Sequence, residues 1–148
     1  GWPLLFPNAG DACEVDGVFH GFHGEASISP WDASAVGITI HLSRRFLTLP
    51  ITMQRTVALD GETVIVEESV EMLGTEPVDV MWGHHPTFGS DLLDGPIAIT
   101  SGAGRVTADE AYDPPANLFL PGGSGALHAM PGKHGSADAA HPADARTG

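Results

Sequence analysis

Apolar and polar residues alternate with a period of two along the middle of this chain, the spacing that sends successive side chains to opposite faces of a β-strand. From Glu62 to Leu73, Val64, Val66, Val70 and Met72 share one face, while Thr63, Glu67, Ser69 and Glu71 mostly fall on the other. From Gly37 to Leu42, Ile38, Ile40 and Leu42 oppose Thr39 and His41. From Ile51 to Leu59, one side carries Ile51, Met53, Val57 and Leu59. Shorter strands are expected at Val78–Trp82 and Pro96–Thr100, and Asp60-Gly61 and Leu73-Gly74 read as turns. No window carries the 3.6-residue period of an amphipathic helix. The pattern predicts an all-β protein, an antiparallel β-sandwich or part of one.

The two ends read differently. Residues 1–32 are rich in Gly, Asp and His and predict short strands joined by loops, the segments that carry ligand contacts on a β scaffold. Residues 123–148 lack any apolar period and predict a low-complexity, disordered tail behind a sandwich domain spanning 1–122. The chain has 148 residues, and its formal net charge of −13 with only six Lys or Arg excludes nucleic acid as a partner. It also disfavours phosphorylated ligands, which call for clustered cations. A neutral small molecule suits this charge better. No apolar run reaches the ~20 residues of a membrane-spanning helix. No signal peptide is visible, so a cytoplasmic location is expected. Cys13 is the only cysteine, which excludes an intrachain disulfide and a cysteine-based zinc site.

Two stretches carry candidate chemistry. Trp82-Gly83-His84-His85-Pro86-Thr87-Phe88-Gly89 sets adjacent histidines at the end of an apolar strand, beside a proline and two glycines. His20-Gly21-Phe22-His23-Gly24-Glu25 lies upstream. Histidine is the side chain best suited to moving protons near neutral pH. Strand parity separates His84 from His85, so one faces the core and the other a cleft, although both also fit as structural turn residues. His20, His23 and Glu25 are compatible metal ligands, but no further partner is suitably spaced, and no metal is expected. Arg55 falls on the apolar face of its strand. A charge there must be paired, as with Glu67 or Glu68, or must border a polar cleft where it lines a ligand site. Trp31 and Trp82 suit either core packing or stacking on a sugar ring. Asn8 suits either a hydroxyl contact or an ordinary Pro-Asn-Ala-Gly turn.

His85-Pro86-Thr87-Phe88, following Trp82-Gly83, resembles the His-x-x-Phe element of the aldose 1-epimerase (galactose mutarotase-like) family. His23-Gly24 with Trp31 beyond it is similar to that family's His-Gly pair and following tryptophan. Gly1 to Gly10 resembles the segment before that histidine. Glu67-Glu68-Ser69-Val70 with Gly74-Thr75-Glu76-Pro77 resembles the strand and turn leading to the second one. Leu120-Pro121-Gly122 resembles a later turn. The likeness covers residues 1–122. It implies a sandwich of large twisted antiparallel sheets with an open cleft for a monosaccharide. It implies exchange of α and β anomers without any cofactor, one histidine protonating the ring oxygen and a glutamate deprotonating the anomeric hydroxyl. On this likeness His85 is the acid, and His23 a substrate-binding histidine; Asn8, Trp31 and Arg55 are further candidates for lining the site. Family members are longer, so the chain resembles a middle portion of one, and no residue here matches the C-terminal glutamate. The alternative is a non-catalytic carbohydrate-binding module. Related hexose-phosphate epimerases carry arginine where this chain has Ser27, which again favours a neutral sugar.

Overall fold

The structure, a computed structural model, describes residues 1–89 and 97–141. The chain divides into two units, Gly1–Thr87 and Phe88–Gly148, so the break falls well before the boundary expected at residue 122. The first unit contains β1 (Leu4–Leu5), β2 (Cys13–Val15), β3 (Val18–His20), a one-turn helix α1 (Glu25–Ile28), β4 (Asp32–Val36), β5 (Thr39–Arg45), β6 (Ile51–Asp60), β7 (Thr63–Met72) and β8 (Gly83–His84). All strand pairings are antiparallel, and the fold is all-β and sandwich-like, as the alternation predicts.

A four-stranded sheet in the order β4-β5-β6-β7 is the frame. Its outer hairpins, β4–β5 and β6–β7, close through two-residue turns, Gly37-Ile38 and Gly61-Glu62. Gly37 and Gly61 have φ of 60° and 59°, the left-handed region that tight hairpin turns demand. Gly37 therefore belongs to the turn, and the strand expected from it starts at Thr39. Register aligns Ile40, Val57 and Val66 in one row, Leu42, Arg55 and Glu68 in the next, and Arg44, Met53 and Val70 in a third. These rows share the apolar face.

Half of that face is covered. Leu4, Phe6, Ala26, Phe46, Ile51 and Met53 form the buried core, with Trp31, Leu49, Val70 and Val78 packed against it. Phe6 meets Phe46 and Trp82 edge-to-face at 5.2 and 5.8 Å between ring centroids. Each fully buried large side chain contributes about 1.5–3 kcal/mol from apolar burial. The second layer is thus the N-terminal segment, α1 and the β1–β8 ribbon. The other half of the face, with Ile40, Leu59 and Val64, is exposed.

The strand expected at Val78–Trp82 is not formed. The chain there runs beside the N-terminal segment, whose Pro3 and Pro7 have no N–H to extend a ladder. Ladder pairing is limited to Leu4↔His84 and Leu5↔Gly83, and the stretch 78–82 itself contributes one bond, from Met81 N–H to the Pro7 carbonyl. Of the strand expected at 96–100, Pro96 lies outside the described residues and Ile97–Thr100 are not in a strand.

The second unit contains β9 (Val106–Thr107), β10 (Ser124–Gly125), β11 (Met130–Gly132) and β12 (Gly135–Ala137). β9 pairs with β10 and β11 with β12, both antiparallel. The stretch beyond Gly122, expected as a disordered tail, thus carries β10 and the β11–β12 hairpin among its described residues. Its glycines serve close packing: a Cβ on Gly125 would sit 2.6 Å from the Ala129 carbonyl oxygen, and one on Gly132 2.6 Å from that of Gly135. Composition alone does not distinguish glycine used this way from glycine in a flexible chain. Among the described residues no helix is long and apolar enough to cross a membrane.

Met53 is fully buried and Ile40 is exposed on the same sheet face. Met53→Ala is expected to cost about 2–5 kcal/mol and Ile40→Ala less than ~1 kcal/mol, read as shifts in the urea unfolding midpoint.

Candidate functional site

The segment Gly1–Gly10 is the strap that positions both candidate histidines. Toward the C-terminal side of the unit, Thr87 N–H donates to the Gly1 carbonyl at 2.7 Å and His85 N–H to that of Pro3 at 3.1 Å. Toward the other, Ala26 N–H donates to the Phe6 carbonyl and His23 N–H to the Gly10 carbonyl, both at 2.9 Å. The Asn8 amide Nδ2 donates to the carbonyls of Asp11 and Gly21 at 3.2 and 3.1 Å, holding the β2–β3 ribbon on the strap.

His23 sits in the left-handed region at φ 61°, followed by Gly24 at φ 77°. A Cβ on Gly24 would lie 2.3 Å from the Phe6 carbonyl oxygen, so only glycine lets the loop meet the strap. The His23 ring is fixed by its surroundings: Gly10 N–H donates to its Nδ1 at 3.0 Å. Nδ1 is therefore an acceptor, and the neutral ring carries its proton on Nε2, free to donate outward. The His85 ring stands edge-on to it, 6.0 Å between centroids at 87°. His85 is exposed, and among the described residues no side-chain hydrogen bond or ion pair engages its ring. The two imidazoles thus differ: Gly10 sets the tautomer of His23, while no side chain of the described residues engages the ring of His85.

His84 points elsewhere, as alternation requires. Its Nδ1 accepts from Trp2 Nε1 at 3.2 Å, and its Nε2 lies 3.4 Å from Glu68 Oε2. Arg55 is buried and lies 3.1 Å from Glu68 Oε1 through Nε, an ionic contact whose N–H is not aligned for a hydrogen bond. This is the paired arrangement among the two weighed for Arg55. Trp31 Nε1 donates to the Ala26 carbonyl at 2.9 Å while its ring packs on the core. Asn8, Trp31 and Arg55 are all engaged in structural ties; of the five candidate residues, His23 and His85 form the facing pair.

Sequence reasoning weighed Glu25 only as a metal ligand and missed its structural role. It is buried and accepts from Arg44, from the amides of Leu47 and Thr48 and from the Thr48 hydroxyl. It clamps the loop between β5 and β6 to α1, beside His23. Burial alone pushes its carboxyl up, but the Arg44 guanidinium and the Leu47 and Thr48 donors outweigh that, and it is held below the ordinary glutamate value. Nothing in the local sequence distinguishes such a carboxylate from a loop residue facing water. Among the described residues, no group of three or more His, Cys, Asp or Glu is placed to hold a metal. An open hollow of about 370 Å³ lies on the polar face of the sheet, walled by Asp32, Ser34, His41, Ser43, Gln54 and Thr56, and includes neither His23 nor His85.

No family model, curated protein or solved structure matches the chain.

Because the Glu25 carboxyl is depressed in the folded state, its stabilising effect is present above the ordinary value of 4.5 and lost as pH falls through the lower folded value. Tm is expected to drop on acidification below about pH 5. Glu25→Gln is expected to lower Tm at neutral pH and to flatten that dependence in calorimetric scans. Gly24→Ala is expected to destabilise by more than ~2 kcal/mol in chemical denaturation, since both its backbone angle and its space are incompatible with a side chain.

Proposed function

We propose that this chain is aldose 1-epimerase-like, an isomerase domain that interconverts the α and β anomers of a neutral monosaccharide. The observation that carries the reading is the convergence of His23 and His85, which lie far apart in sequence and meet edge-on at 6.0 Å. Anomer exchange needs a proton delivered to the ring oxygen and one removed from the anomeric hydroxyl. The ring opens, the aldehyde rotates, and reclosure gives either anomer. His85 supports the acid role because its exposed ring faces His23 and no side chain of the described residues engages it. His23 supports the binding role because its Gly10 bond leaves a single outward N–H to donate to a sugar oxygen. A net charge of −13 suits a neutral sugar rather than a sugar phosphate.

A second reading is a carbohydrate-binding module without turnover. It is favoured by one observation: among the described residues no carboxylate contacts either ring of the pair, so no partner for His85 as general base is in place.

Polarimetry of freshly dissolved α-galactose and α-glucose separates the two. The enzyme reading expects equilibration faster than buffer, with His85→Asn losing at least about 100-fold, the usual worth of a general acid. Equal rates for the wild type and His85→Asn would reject the role of His85. Sugar binding by calorimetry with no acceleration would establish the module instead.

A further inference from the structure

We propose that Glu68 is a positioning residue for His85, acting through the side chains on either side of Gly83. This rests on the reading of His85 as the acid.

Strand β8 has two paired residues, Gly83 and His84, and the flanking amides of Met81, His85 and Thr87 donate to the Pro7, Pro3 and Gly1 carbonyls, so main-chain bonds set its path along the strap. Roll decides where the next side chain points, because successive residues face opposite sides. Glu68 adds a side-chain hold on that roll. Its Oε2 accepts from Trp82 Nε1 at 2.7 Å and lies 3.4 Å from His84 Nε2. Trp82 and His84 are two residues apart and are held toward the same side, which sends His85 to the other, where His23 stands.

The carboxylate is itself fixed. Its side chain is only 6% exposed, and Arg55, 8% exposed, lies beside its other oxygen on the neighbouring strand. Register places Arg55 and Glu68 directly opposite each other, so the pair cannot slip without moving the sheet. Trp2 completes the arrangement from the strap. An indole N–H only donates, so its bond to His84 Nδ1 leaves the proton of the neutral imidazole on Nε2, aimed at Glu68. A carboxylate on the apolar side of β7 thus acts at a distance, through the sheet frame, on a proton-carrying ring that it does not touch.

The test uses the full chain with Glu68→Ala and Trp82→Phe, the second keeping an aromatic ring while deleting one donor to the carboxylate. Two readouts are taken: the nuclear Overhauser cross-peak between the ring protons of His23 and His85, and kcat and KM for galactose anomer exchange. The expected result is loss of the cross-peak, a fall in kcat of about 10- to 100-fold, and KM within about threefold, since misplacement by about an ångström has that effect on a positioned group. Should Glu68→Ala not fold, Trp82→Phe decides alone. A folded variant that keeps both the cross-peak and kcat overturns the proposal. Wild-type chain without anomer exchange overturns the enzyme reading instead, while the cross-peak still reports on Glu68.

Discussion

The arrangement depends on one constraint: the backbone carbonyls of the first ten residues must find donors, and they find them on two different segments. Pro3 and Phe6 face opposite ways along the strap, one toward the His85 amide, the other toward Ala26 in the helix beside His23. Prolines at positions 3 and 7 remove the strap's own donors there, which prevents it from joining a longer ladder and leaves its carbonyls to serve both sides. Bringing the histidines together is then a consequence of main-chain satisfaction. Phe6 and Leu4 anchor the strap by burying their side chains over Ile51 and Met53.

The sheet beneath contributes a second constraint. The row Leu42, Arg55 and Glu68 crosses the apolar face at the border between its covered and exposed halves. An isolated buried charge there would be costly, and the two charges are tolerated because they neighbour each other across adjacent strands. Removing one leaves the other stranded, typically a loss of about 3–5 kcal/mol, whereas replacing both by apolar residues is often neutral. The Glu68 carboxylate of this pair also meets Trp82 Nε1 and His84 Nε2.

The strands of the large sheet were legible because alternation survives wherever one face is buried, and Val64, Val66, Val70 and Met72 state it directly. Arg55 was partly legible: its place among Met53 and Val57 called for a partner or a polar cleft, with Glu67 and Glu68 both open as partners, and register sets Glu68 opposite it. The divergence of His84 and His85 followed from the same period. Less was readable where backbone groups do the work. The strap's bonds run through carbonyls, which leave no side-chain signature. The clamp at Glu25 draws on Leu47 and Thr48 amides for the same reason. The hairpin around Gly132 was missed because glycine that permits close approach has the same composition as glycine in a flexible chain. Asn8 and Trp31 carried polar groups whose partners are main-chain carbonyls, and the sequence offered equal grounds for placing them against a ligand.

If the strap holds both histidine-bearing segments as one cooperative unit, native-state amide hydrogen exchange will register it. The amides of His23, Ala26, Met81 and His85 all donate to strap carbonyls, at Gly10, Phe6, Pro7 and Pro3 respectively. These four are expected to exchange with one common opening free energy and to respond together to low denaturant. Exchange of His85 and Met81 through an opening distinct from that of His23 and Ala26 would contradict it.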